Sequence, residues 1–275
     1  MKKDLIISKL IVESFFEKLN KGLEVDVAIA GCGPSALALS LALSKKGYKV
    51  AIFEAKNEPG GGIWGGGMMF NELVLERELK GYVEELGINY KEFGEFLVVD
   101  SVHFASALLY HTTKAGTLVF NNVFVEDLVM YDKRVSGVVI NWMPTIRERL
   151  HIDPISVIAK FTVDGTGHPA NLVRLLSKRG ILASVTGSTE NLCSCGSVEY
   201  EFPMDAENGE RFVVEGTREI YPGLFVIGMA AVSVGGGPRM GPIFGGMILS
   251  GLRAAELIED GLKREVVTID KEMKI

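Results

Sequence analysis

The residues of this 275-residue chain that could do chemistry are few, and its four histidines are the natural starting point. One lies in Arg149-Leu-His151-Ile152-Asp153-Pro154. His151 and Asp153 alternate, so in an extended chain both project to one face. Pro154 biases Asp153 towards extended backbone. A second, His168, ends the run Val163-Asp-Gly-Thr-Gly-His. Asp153 and His168 offer an oxygen and an imidazole nitrogen. Two such donors do not make a closed structural zinc site, which takes four ligands and favours thiolates. They suit Fe(II) with open positions, or a site completed by another subunit or by substrate. The alternative is an ordinary Asp-Pro turn and a histidine that caps a helix. His151 alone fits a proton shuttle, a supporting donor or a surface residue. Arg239 lies in Gly-Gly-Gly-Pro-Arg-Met-Gly-Pro-Ile-Phe-Gly-Gly. Its guanidinium can hold a carboxylate in bidentate geometry, or brace its own loop. His103 and His111 receive no role.

A dinucleotide site is written more plainly. Val25-Asp-Val-Ala-Ile-Ala30 reads as a buried parallel strand, Gly31-Cys-Gly-Pro-Ser-Ala36 as a turn, and the Ala/Leu-rich stretch up to Gly47 as a helix. Lys49-Val-Ala-Ile-Phe reads as the next strand, with Glu54 at its end. In this Gly31-x-Gly33-x-x-Ala36 fingerprint, Gly31 permits the tight turn and Gly33 lets a pyrophosphate approach the backbone. Ala36 is small enough for close helix–strand packing. The helix N-terminus near Ser35 offers N–H groups to phosphates. Glu54 can accept from ribose hydroxyls and disfavours a 2′-phosphate, so NAD or FAD is expected rather than NADP.

Other elements must position these groups. Ile6, Leu10, Phe15 and Leu19 recur at helical spacing, so residues 1–22 read as an amphipathic helix. Residues 72–86, 102–115 and 244–262 read as helices. Residues 123–142 read as two strands joined near Asp132-Lys133. Ser156 to Asp164 and Gly223 to Gly228 read as strands entering glycine turns, and 180–211 as a loop. The later turns resemble those of FAD/NAD-binding proteins of the glutathione-reductase type. The expected fold is therefore a Rossmann-like α/β domain spanning 1–275, with a central parallel sheet, helices, and an added antiparallel hairpin layer.

Composition narrows the partners. The net charge of −6 argues against nucleic acid. No apolar run reaches membrane-spanning length, and Asp4, Glu13 and Glu17 interrupt any signal-peptide core. Three cysteines, Cys32, Cys193 and Cys195, fit a reducing cytoplasm better than a disulfide framework. The 32 glycines cluster at 60–67 and 235–246, where Trp64, Met68, Met240 and Phe244 interrupt them, unlike a flexible linker.

Six ordered stretches, 60–72, 137–142, 150–154, 165–168, 217–224 and 238–251, together resemble the thiamine thiazole synthases. The resemblance runs from about residue 25 to 258 and is weak only across 180–211. Ala36 and Pro169 depart from the family's pattern. The second departure puts any role of the family's aspartate there in doubt. The resemblance implies an enzyme that consumes NAD and glycine to form an adenylated thiazole carboxylate, releasing nicotinamide. Members that sacrifice a protein sulfur carry cysteine where this chain has His151. The resemblance therefore implies the branch that uses free sulfide with Fe(II). It further implies Asp153 and His168 as iron ligands shared between protomers of a homo-octamer, and Arg239 as the holder of the glycine carboxylate. Ser35, Glu54, Ala55, Gly62, Val125 and His151-Ile152-Asp153 would line the NAD site, with Met229 closing it. His151 is the candidate proton shuttle. Three other readings stay open at this level: an oxidoreductase that recycles FAD or NAD, a ribose-1,5-bisphosphate isomerase, and a non-catalytic NAD sensor.

Overall fold

The computed structural model describes residues 2–182 and 202–272. Helix α1 (Lys3–Gly22) leads into strand β1 (Glu24–Ala30), helix α2 (Pro34–Lys45) and strand β2 (Val50–Glu54). Two short 3-10 turns precede β3 (Glu72–Glu76), α3 (Lys80–Glu85), β4 (Tyr90–Phe93) and β5 (Phe96–Asp100). Then follow α4 (Ser101–Lys114), β6 (Leu118–Asn121), β7 (Val123–Tyr131), β8 (Arg134–Trp142) and α5 (Met143–Arg147). The remaining elements are β9 (Ile155–Asp164), α6 (Asn171–Lys178), α7 (Ala206–Glu215), β10 (Arg218–Tyr221), β11 (Leu224–Val226), α8 (Gly228–Gly235) and α9 (Gly245–Glu272).

The expected α/β fold is the observed one. Strands β11, β9, β1, β2 and β6 run parallel in that order, with Val27 opposite Val50 on one side and Phe161 on the other. The outer edge of β9 is divided. Its last residues pair with β11 and its first with β8, which forms the antiparallel hairpin with β7. Asp132 and Lys133 both take positive φ at the hairpin tip, the backbone a tight two-residue turn requires. Side chains of β1 alternate between two cores. Val27 and Ile29 face α2, α4 and α9, while Ala28 and Ala30 face the hairpin, α6 and α8. Both faces being covered there, the strand is apolar from Val27 to Ala30.

Helix α2 opens with Pro34 in its first turn, where the missing N–H costs nothing, and Gly47 follows its end at φ 86°. Helix α6 has no cap from its own preceding residue; Asp164, at the end of β9, supplies one. Its Oδ2 accepts from the N–H groups of Leu172 and Val173, and its Oδ1 from the Thr166 N–H and hydroxyl. Burial pushes this carboxyl above its ordinary value, and those hydrogen bonds oppose the shift.

Two expectations are corrected. Residues 72–86 are not one helix. Glu72–Glu76 is a strand paired with β5, in a separate antiparallel sheet ordered β3-β5-β4. Leu73 and Leu75 alternate inward, and pairing partners override the helical propensity of the Glu/Leu-rich stretch. The expected loop at 180–211 holds the first residues of α7, whose N-terminus Asp205 caps by accepting from Asn208 N–H. Residues 183–201 of that expected loop lie outside the described residues. Helix α1 forms as expected, yet within one chain it buries only Leu19 and Gly22.

Helices α2 and α9 cross closely because Gly251 has no side chain. A Cβ there would overlap the carbonyl oxygen of Ser35 and come within 3.0 Å of Ala38 and Leu39. Overfilled contacts of this kind cost about 1–3 kcal/mol. Gly251→Ala is therefore expected to lower stability by about that amount, read by denaturant unfolding, because it displaces the first turn of α2.

Candidate active site

The C-terminal ends of β1, β2 and β9 meet edge to edge. Gly31 N–H donates to Phe53 O at 2.8 Å, and Gly165 N–H to Ala30 O at 2.9 Å. Gly31 takes φ 88°, and a Cβ on it would lie 2.5 Å from Gly165 O. Only glycine satisfies both the backbone and the space. Beyond this junction opens a cavity of about 760 Å³, ample for a small-molecule ligand.

The cavity floor is the turn between β1 and α2. Gly31, Gly33, Ser35 and Ala36 all line it. A Cβ on Gly33 would meet nothing within 4 Å, so this backbone faces open space. The N-terminus of α2 is directed at that space, and so is that of α8, where Gly228 and Met229 line the wall. Helix N-termini favour anions. Gly228 is held from behind: its N–H donates to Ser250 Oγ at 2.8 Å, and Ser250 is bonded in turn to Thr217.

Glu54 and Ala55, at the end of β2, form one side. The Glu54 carboxylate is buried. Oε2 accepts from the Cys32 N–H at 2.7 Å and Oε1 from the Lys56 N–H at 2.8 Å. Each oxygen keeps acceptor capacity for a ligand hydroxyl. Cys32 O in turn accepts from Gly60 N–H at 2.7 Å, tying the turn to the glycine-rich segment that brings Gly62 to the rim. Burial, with the Glu54 charge beside it, pushes the Cys32 thiol well above its ordinary value. That thiol is neither a nucleophile nor an accessible sulfur.

Val125, from β7, closes another side. His168 lies at the opposite lip, in the turn between β9 and α6, where its carbonyl accepts from Ser233 Oγ at 2.8 Å. Arg239 enters from the loop after α8, beside Met240 and Phe244. One cavity thus gathers Gly31, Gly33, Ser35, Ala36, Glu54, Ala55, Gly62, Val125, His168, Met229 and Arg239 from seven distant stretches of sequence.

His151, Ile152 and Asp153 stand elsewhere. They are exposed and without regular secondary structure, between α5 and β9. Asp153 lines a separate small cleft with Val123, Asn141 and Trp142, and Asn141 Nδ2 donates to the Ile152 carbonyl at 3.2 Å. Asp153 and His168 therefore line different hollows of the chain. Among the described residues there is no group of three or more His, Cys, Asp or Glu side chains that could hold a metal. His103 and His111 lie on α4, and neither lines the cavity. Sequence reading missed Asp164, Thr166 and Asn171. Their signal was local: an aspartate at a strand end, two residues before a threonine, ahead of a short apolar helix.

Comparisons with known proteins show the family. Residues 8–244 match the Thi4 family. A thiamine thiazole synthase of Fervidobacterium nodosum is 77% identical over 269 residues, covering 98% of this chain and 97% of that one. One from Thermotoga maritima is 57% identical over 261 residues, covering 95% and 99%. The crystal structure of Thermovibrio ammonificans THI4 superimposes with a TM-score of 0.86 at 40% identity, covering 96% of this chain and 99% of that one. No helix among the described residues is long and apolar enough to cross a membrane. The chain belongs to the Thi4 family, and its activity is that of a thiamine thiazole synthase.

Proposed function

We propose that the protein makes an adenylated thiazole carboxylate from NAD, glycine and free sulfide, with Fe(II), and turns over repeatedly. The observation that carries this reading is His151 at the place where sulfur-donating relatives have cysteine. An imidazole has no sulfur to give. Cys32, the cysteine among the described residues, is buried with a protonated thiol. None of the three cysteines stands at that place, so on this reading the sulfur comes from outside.

On this reading NAD is a substrate. The N-termini of α2 and α8 bind its pyrophosphate, and Glu54 accepts from the adenosine ribose. Arg239 pairs with the glycine carboxylate at the cavity mouth. His151 moves the protons that the successive tautomerisations require. Val125 lines the NAD site and Met229 closes it. Water replaces nicotinamide to give ADP-ribose, whose sugar opens and isomerises to a ketone. Glycine condenses with that carbonyl, sulfide adds, and loss of water closes the ring.

The donor types of Asp153 and His168 fit a ferrous ion with open positions. One chain keeps them in separate hollows, so the ion would take Asp153 from one protomer and His168 from its neighbour. Bound there, it would act as a Lewis acid and keep sulfide in its reactive form. Exposed apolar residues support an assembly, as the expected homo-octamer requires. Leu10, Ile11 and Phe16 on α1 are 57%, 64% and 56% exposed, and Leu150 and Ile152 flank His151 at 56% and 53%. The reading places the reaction in the cytoplasm, without nucleic acid or membrane as partner.

Three outcomes test this. Anaerobic incubation with NAD, glycine, sulfide and Fe(II) should give many equivalents of adenylated thiazole per chain by mass spectrometry; one equivalent or none without a sulfide dependence would end the sulfide reading. Asp153→Ala and His168→Ala should each bind NAD and make no thiazole, while assemblies refolded from an equal mixture should recover about a quarter of the wild-type activity by random pairing. No recovery would show that the two side chains do not act across protomers. Glu54→Gln should weaken NAD binding about tenfold, the loss of one charge-assisted hydrogen bond.

A further inference from the structure

The segment carrying Arg239 is gripped by two elements. On one side is β3: Ile243 bridges to Val74, and Phe244 N–H donates to Val74 O at 3.0 Å. On the other is the start of α7. Asp205 N–H donates to Arg239 O at 3.0 Å, and Gly209 packs so closely that a Cβ would lie 2.9 Å from Pro238 O. Glu76 ends β3 and Glu210 belongs to α7, and their carboxyls meet at the first turn of α9. Gly246 N–H donates to Glu210 Oε2 at 2.6 Å. A Cβ at Gly245 would overlap the Glu76 carboxyl, so two glycines there make the room.

One oxygen of each carboxyl, Glu76 Oε2 and Glu210 Oε1, is buried with no hydrogen-bond partner. Ionised carboxylates only accept, so two of them side by side cannot satisfy each other. Two unpaired buried acceptors and a like-charge contact would both oppose the packing. A single proton removes both penalties, because the protonated carboxyl donates to its neighbour. We infer that Glu76 and Glu210 share one proton, and that this bridge clamps β3 to α7 around the segment that presents Arg239 to the cavity. The two glutamates are positioning residues, touching no substrate themselves.

The charges facing the pair agree. Burial, then the adjacent Glu76 carboxyl, push the Glu210 carboxyl up to about 9; Glu78, in the turn after β3, adds to this, and only the Gly246 N–H from α9 opposes it. A carboxyl raised in the folded state stabilises the fold most below its unfolded value, near 4.5. That contribution falls as pH rises, and is gone once pH passes the folded value.

The test is unfolding and amide hydrogen exchange of the full chain across pH 5 to about 10, with exchange corrected for its intrinsic pH dependence. The wild type should lose stability through this window, and Phe244 N–H protection should fall about tenfold or more towards its alkaline end. Glu210→Gln, which keeps a donor without a titration, should remove that pH dependence and hold Phe244 protected. Glu210→Ala should leave Phe244 poorly protected at every pH. Equal pH dependence in wild type and Glu210→Gln, or a glutamine variant that behaves like the alanine one, would overturn the clamp. So would an unfolding midpoint raised by magnesium in the wild type alone, which would put a cation where the proton is inferred. Its bearing on glycine binding rests on the reading of Arg239 above. The stability and exchange measurements do not, so failure of either proposal is distinguishable from failure of the other.

Discussion

Three parallel strands end at one place with no side chain between their backbones. Gly31 bonds to the end of β2, and Gly165 bonds to the end of β1 and packs under Gly31. Every wall of the cavity is set by its distance from this junction. Any side chain at Gly31 would need both a strained backbone and space that Gly165 occupies. The Glu54 carboxylate reinforces the junction by taking the Cys32 and Lys56 N–H groups. The same acid lines the cavity and fixes the turn that forms its floor, so site and fold are coupled through one side chain.

The first βαβ unit and the glycine turns were legible because their signals are local. A buried strand, a tight turn and a helix start each have a composition that follows from backbone geometry. The antiparallel sheet was not legible. Glu72–Glu76 has the composition of a helix, and it is a strand only because β5 pairs with it. Helix α7 was hidden by Gly209, which is required by close contact with Pro238 and Met240 rather than by a turn. The cavity itself could be anticipated only where a motif pointed to it. Glu76 and Glu210 share no motif, and only the tertiary fold brings them together.

The separation of Asp153 from His168 has a simple cause. His168 follows the C-terminal end of β9, and Asp153 precedes its N-terminal end. A ten-residue extended strand lies between them. Strands rise about 3.3 Å per residue, so a single chain holds these two groups roughly a strand length apart. On the proposed reading a neighbouring copy would bring such opposite ends of one strand to a common point, and the exposed apolar residues of α1 would be buried in that association.

Cys32 offers one last consequence. It is fully enclosed in the first turn of the cavity floor, with its thiol held in the unreactive form. An alkylating reagent can reach it only when α2 parts from the sheet. Peptide-resolved labelling of this sulfur therefore acts as a built-in clock for the opening of the cavity, and any ligand that settles on the turn should slow it.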